Sequence, residues 1–220
     1  ALIAAAGISL LHSVVHSENI ADPAKILDEL NRQFNLVVNK PGERLFDGMD
    51  VGLISITKGQ LKFCGAYSPC MIINAKEEII EFKGNKRPIG GGINYSHLDF
   101  NNQSMELQEG DEIFLYTDGI LDQIGGPDVK KFKSRRFKEL LQSTHLRPIP
   151  KQAAFVEESI SSWQGEQFQI DDMMLLGISV HKWLPLATFM LPLAMTSLTW
   201  HLPKVRMVSA GASMGLAAYL

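Results

Sequence analysis

Cysteine is scarce in this chain. Only Cys64 and Cys70 occur among 220 residues, too few to staple a secreted fold, so both are expected to be buried free thiols in a reducing cytoplasm. An excess of one charge is also missing. Lys and Arg number 21 against 24 Asp and Glu, a net charge of -3, which offers no general pull toward nucleic acid. The run Gly90-Gly91-Gly92 lacks the Gly-Lys-Ser/Thr ending of a nucleotide-binding loop and reads as a turn. No basic segment precedes the first apolar stretch, Leu2 to Val15, and His12 interrupts it, so neither a signal peptide nor a membrane span fits there. That stretch has a helical pattern without a capping residue before it and starts at Ala1 rather than Met, as expected of a piece of a longer protein. What remains is an ordinary globular balance, 45% apolar and 20% charged, enough for one domain with a real core.

Local patterns divide that domain into helices and short strands. Asp22-Pro23 opens a helix, with Asp as N-cap and Pro at the first helical position. Ile26, Leu27, Leu30, Phe34 and Val38 then share one face, Asp28 is placed to pair with Arg32, and Pro41-Gly42 ends the helix. Strands are expected over 51–56, 61–64, 70–74 and 78–82, the first two joined by a Thr57–Gln60 hairpin turn. The stretch 85–102 reads as irregular. A buried strand follows at Ile113–Tyr116 and a last one at Met173–Val180, with helices around Phe137–Leu141 and Val156–Trp163 between them. Antiparallel hairpins between groups of helices point to an α+β layered domain.

The chemistry concentrates at two strand ends. Asp118 follows the strand ending at Tyr116 and is itself followed by Gly119, while Asp171-Asp172 precedes the final strand. Carboxylates held at strand ends suit a hard divalent cation such as Mg²⁺ or Mn²⁺, which takes oxygen ligands and keeps several waters. Taken singly, an Asp-Gly turn and an Asp-Asp loop are ordinary solvated turns.

The order of the motifs is more specific. Asp47-Gly48-Met49-Asp50, Phe63-Cys64-Gly65-Ala66-Tyr67-Ser68-Pro69, Pro88-Ile89-Gly90, Leu107-Gln108-Glu109-Gly110-Asp111, Tyr116-Thr117-Asp118-Gly119 and Ile170-Asp171-Asp172-Met173 occur in succession. The series resembles the PPM family of metal-dependent protein serine/threonine phosphatases, in its bacterial branch like the stage II sporulation protein E phosphatase, over roughly residues 1–181. The resemblance implies two packed β-sheets flanked by helices, α/β/β/α layers incomplete at the amino end. It also implies a dinuclear Mn²⁺ or Mg²⁺ site in the complete domain, with Asp118 and Asp171 as metal ligands and Asp172 and Gly119 as weaker metal or neighbouring-position candidates. The family's other acidic ligands belong to an Asp-x-x-Gly-His-Gly type motif expected ahead of Ala1, so the chain alone is expected to be nearly inactive. Met174 stands where the family often carries Thr.

The implied activity is hydrolysis of phosphoserine or phosphothreonine on a phosphorylated regulatory protein, anti-anti-sigma-factor-like, in bacterial signalling. The rival reading is a catalytically dead phosphatase-like module that binds phosphoproteins, possibly the cytoplasmic part of a membrane receptor. Lys130, Lys131, Lys133, Arg135 and Arg136 fall in a segment basic at six of nine positions, 130–138. It reads either as a substrate-docking face or as a solvated basic surface. After residue 181 the composition changes: 183–200 carries no charge and is bracketed by tryptophans, and 207–220 is again apolar. Residues 182–220 are therefore expected to be a membrane segment tethering the domain to the inner membrane, an apolar tail packed on the domain, or the start of another module.

Overall fold

The computed structural model describes residues 2–17, 21–38, 48–91, 99–180 and 189–195. Its elements in chain order are the helices α1 (Leu2–Ser17) and α2 (Pro23–Val37), then the strands β1 (Gly48–Thr57), β2 (Gln60–Ala66), β3 (Cys70–Ile73) and β4 (Ile79–Phe82). Next come β5 (Ile89–Gly90), β6 (Gln103–Glu106), β7 (Glu112–Tyr116) and the short helix α3 (Asp118–Asp122). The chain continues with β8 (Ile124–Gly125), β9 (Lys130–Lys131), α4 (Lys133–Thr144), α5 (Ile149–Gln164), β10 (Leu175–Ser179) and β11 (Phe189–Met195).

Two antiparallel sheets stack between helices. One has the order β11-β1-β2-β6, with β5 pairing the start of β1, and the other has the order β10-β7-β3-β4. The β1–β2 hairpin closes through Lys58 (φ 50°) and Gly59 (φ 78°); two successive left-handed residues make the tight turn whose twist matches that of the strands. Three apolar cores identify the layers. Leu27, Leu30 and Phe34 of α2 and Val14 of α1 pack on Val51 and Leu53. Ile54 and Phe63 of the first sheet meet Ile72, Ile113 and Leu115 of the second. Phe114 and Tyr116, on the second sheet's other face, meet Phe137 of α4 and Val156 of α5. Each such fully buried side chain contributes roughly 1.5–3 kcal/mol. The arrangement is the expected α/β/β/α stack, built from strands whose alternate residues serve different cores.

Several local expectations are revised. Asp22 does cap α2, its side chain accepting from the Lys25 amide at 3.3 Å. Asp28, however, pairs with Arg87 at 3.0 Å, and Arg32 pairs with Glu29 instead. A partner 59 residues away outcompetes the neighbour one turn on, because Arg87 is itself buried and needs an acceptor. The irregular stretch contains a paired segment, β5, whose Ile89 lies opposite Met49. Within the tail, Phe189–Met195 is an edge strand running antiparallel to β1, Pro192 opposite Leu53, where a missing N–H is tolerated. These seven residues pair with β1 as a strand, and among the described residues no helix is long and apolar enough to cross a membrane. Pro41-Gly42, Asp47, 181–188 and 196–220, including the second apolar stretch, lie outside the described residues.

Candidate metal site at the strand ends

Strand β7 is buried along its whole length and delivers Thr117 and Asp118 to the edge of the second sheet. Its neighbour β10 pairs Leu175 with Tyr116, so the loop leading into β10 must arrive beside residue 117. Thr117 joins the two. Its amide donates to the Met174 carbonyl at 3.1 Å. Its hydroxyl donates to the Asp172 carbonyl at 2.7 Å and accepts from the Met174 amide at 2.8 Å. Thr117 stands at the N-cap of α3 but makes no side-chain cap bond, since its hydroxyl is committed to the opposite loop. Met174 makes this contact through its backbone, and its side chain packs at the margin of the inter-sheet core, so the departure from Thr leaves the junction intact.

Gly119 brings the loops closer still. A Cβ there would clash with the Asp172 carbonyl and lie 3.1 Å from the carbonyl carbon of Asp171. Only a residue without a side chain lets α3 pass the Asp171-Asp172 peptide at this range. Asp171 is oriented by its own loop, its Oδ1 accepting from the Asp172 amide at 2.7 Å. Asp118 and Asp171 are both exposed, Asp172 half-buried. The backbones carrying Asp118, Gly119, Asp171 and Asp172 therefore meet at one rim, although they lie more than fifty residues apart.

Asp50, on β1 of the facing sheet, lies within reach of the Asp118 charge. Its carboxyl is pushed up to about 6, first by the protein displacing water around it and then by the charge of Asp118. Asp50 stands inside one of the family-like motifs, yet nothing in the sequence marks it as a site residue. A carboxylate in the first turns of a strand is no signal by itself, and its proximity to Asp118 depends on how the sheets stack. Among the described residues no Lys, Arg or His forms an ion pair with Asp50, Asp118, Asp171 or Asp172.

The donor set, hard carboxylate oxygens repelling one another without a cationic side chain between them, suits Mg²⁺ or Mn²⁺. Among the described residues no three His, Cys, Asp or Glu side chains are grouped to hold a metal ion by themselves. The repulsion has a measurable consequence. The folded chain holds the Asp50 proton more tightly than the unfolded chain, whose carboxyl titrates near 3.8. Stability is therefore lost as pH rises from about 4 through about 6. Asp50→Asn is expected to stabilise the protein in EDTA at pH 7.5 by roughly 1 kcal/mol, after allowing for solvent screening at an exposed rim. Urea midpoints at pH 7.5 and at pH near 3.8 check this. The gain should disappear at the lower pH, and a loss of stability at pH 7.5 would contradict the electrostatic reading.

The basic segment is largely engaged within the chain. Lys131 pairs with Asp122 of α3 at 2.8 Å, Lys130 with Asp128 at 3.1 Å and Arg135 with Glu139 at 3.0 Å. Arg136 stacks on Trp163, 4.4 Å from the ring centroid. Lys133 opens α4 in a left-handed conformation, φ 67°. Through the Lys131–Asp122 pair the hairpin β8–β9 is tied to the helix that Asp118 begins. Cys64 and Cys70 are free and buried; burial pushes the Cys64 thiol up to about 12 and Cys70 higher, which leaves both as inert thiols.

With this geometry in place, comparison with known proteins is specific. The stage II sporulation protein E (SpoIIE) family matches residues 1–181. The PP2C domain of SiaA from Pseudomonas aeruginosa is 32% identical, with a TM-score of 0.70 over 79% of this chain and 67% of that one. The phosphatase domain of SpoIIE from Bacillus subtilis shares the fold at 19% identity, with a TM-score of 0.51 over 81% of this chain and 75% of that one. A Mycobacterium tuberculosis protein containing RsbU and RsbW domains shares it at 21% identity and a TM-score of 0.51, over 69% of this chain and 40% of that one. Among curated proteins none matches the chain.

Proposed function

We infer the activity from one premise: the chain belongs to the SpoIIE family of PP2C-type phosphatase domains. On that premise the rim is the metal-binding part of a protein serine/threonine phosphatase. The reaction is hydrolysis of phosphoserine or phosphothreonine on a regulatory protein, anti-anti-sigma-factor-like, in bacterial signalling. The observation that carries this reading is the meeting of the Asp118 and Asp171 loops through Thr117 and Gly119. Pairing of β7 with β10 brings the two loops together, and a shared cation would use the carboxylates they carry there.

Asp118 and Asp171 would hold the metal, with Asp50 and Asp172 beside them. When bound, a Mn²⁺ or Mg²⁺ pair supplies an activated water and stabilises charge on the phosphoryl oxygens. The protein's own contribution is placement. Thr117 fixes the separation of the two loops, the Asp172 amide orients the Asp171 carboxylate, and Gly119 removes the side chain that would force the loops apart. Rigid strand ends keep these groups within the tolerance that metal chemistry demands.

The family's remaining acidic ligands are assigned by resemblance to sequence ahead of Ala1. Phosphate release is therefore expected from a protein that carries that acidic motif. Release from a phosphoserine peptide should stop in EDTA and return with added Mn²⁺. Release that persists in EDTA, or none with Mn²⁺ in the longer protein, would count against the phosphatase reading.

A further inference from the structure

We propose that the exposed apolar side chains beside the rim, Phe168, Ile170 and Val129, together with Lys130, Lys131 and Lys133, form the docking surface for an acidic, apolar segment of the phosphorylated protein substrate. The proposal rests on the phosphatase reading for the identity of the partner, but not for the existence of the surface.

Phe168 is the anchor. It is 91% exposed, which for a phenylalanine represents a large apolar area left in water. Ile170 and Val129 are also about half exposed. Scattered surface hydrophobics need no explanation, but Phe168 and Ile170 share the loop that leads into Asp171, and Val129 stands in the β8–β9 hairpin that Gln123 ties to that loop. Ile170 adjoins Asp171, so the patch begins one residue from the proposed metal ligand.

The patch is also held firmly. Gln123, fully buried, donates from Nε2 to the Phe168 carbonyl at 3.0 Å and to the Ile124 carbonyl at 2.9 Å. Its own carbonyl accepts from the Phe132 amide at 2.9 Å and from the Trp163 indole at 3.3 Å. One buried side chain thus ties the loop 165–172 to the β8–β9 hairpin. The hairpin is fixed in turn on Trp163, where the Gly126 amide donates to the Trp163 carbonyl at 2.7 Å and a Cβ at Gly125 would clash with that carbonyl. An apolar anchor on a preorganised backbone loses little entropy on binding.

Charge selects the occupant. Residues 122–139 contain six basic and three acidic side chains in a chain whose net charge is -3, so the surface is locally positive on a negative protein. An acidic segment is attracted to it and a basic one repelled, which sets approach and register more than affinity. The ion pairs within the hairpin leave a modest field, better suited to an acidic peptide seated on apolar anchors than to electrostatic capture by an anionic lipid surface.

The test uses a fluorescein-labelled peptide with one phosphoserine flanked by Leu and Asp residues, titrated against residues 1–220 in EDTA. Without metal the peptide is not hydrolysed, so docking is read separately from catalysis. Phe168→Ala is expected to weaken binding about tenfold, with the melting temperature unchanged because the side chain is 91% exposed. Lys133→Ala should weaken binding less and flatten its salt dependence. A peptide with Lys in place of Asp should bind poorly to either protein.

Equal affinity of wild type and Phe168→Ala, or equal binding of the Lys peptide, would overturn the proposal. So would a Phe168→Ala protein that loses self-association in sedimentation velocity, loses binding to phosphatidylserine vesicles, or melts markedly lower, while the peptide still binds. Those results would assign the patch to a second copy, a membrane, or the chain's own remaining residues. Peptide docking that depends on Phe168, in a protein whose longer form releases no phosphate, would leave the surface standing and remove the enzyme.

Discussion

Glu112→Ala is expected to cost about 3–5 kcal/mol of folding stability, although the residue lies at the opposite end of its strand from the proposed site. Glu112 opens β7 and is buried. Its carboxylate sits 2.9 Å from His145 Nδ1 and accepts from Gln152 Nε2 at 2.6 Å. Gln152 also donates to the Arg147 carbonyl at 2.9 Å. Because His145 caps the end of α4 and Gln152 belongs to the first turns of α5, one side chain locks the corner between these helices to the second sheet. Truncation leaves buried donors on both partners without this acceptor, and the other ring nitrogen of His145 already has no hydrogen-bond partner among the described residues. Glu112→Gln retains an acceptor and should lose about 1–2 kcal/mol. Urea unfolding checks both, with the midpoint falling and the slope unchanged. A loss below about 1 kcal/mol for Glu112→Ala would show that water or a rearranged Gln152 satisfies the corner. Since domains of this size carry about 5–15 kcal/mol in total, this is the substitution most able to unfold the protein.

That corner also shows what a sequence conceals. Glu112 reads as a charged residue at the start of a strand, and its partners lie 33 and 40 residues away. The elements themselves were largely legible. Short apolar runs mark β1, β2, β3 and β7, and Asp22-Pro23 marks the start of α2, because these signals are local and each element carries its own. β6, with the sequence Gln-Ser-Met-Glu, and the two-residue strands β8 and β9 were not legible, since pairing rather than composition makes them strands. β11 failed differently. An uncharged run such as 183–200 fits a membrane helix, a buried helix or a buried strand equally by periodicity. Pairing to β1 decides for residues 189–195.

For the proposed site, Asp118, Gly119, Asp171 and Asp172 stand out in the sequence because Asp-Gly and Asp-Asp at strand ends fall within an ordered set of motifs. The structure adds why they come together, through Thr117. It also adds Asp50, visible only once the two sheets are stacked. The basic segment was legible as charge, but its ion pairs to Asp122, Asp128 and Glu139 depend on the fold of the hairpin and on the phase of α4.

The largest effect on function is expected from the two aspartates themselves. In a protein with the upstream acidic motif, Asp118→Asn and Asp171→Asn should each lower phosphate release by about 100-fold or more. Folding should be preserved, because both side chains are exposed and neither forms an ion pair among the described residues. Metal binding is the more direct readout, since it does not require the catalytic machinery to be complete. Titration of residues 1–220 with Mn²⁺, followed by electron paramagnetic resonance, should show each single substitution weakening binding by about tenfold or more. The double substitution should be far less damaging than the product of the two, since ligands that share an ion cannot be lost twice. Independent, multiplicative losses, or Mn²⁺ affinity unchanged in both variants, would mean that residues 118 and 171 do not hold a common cation.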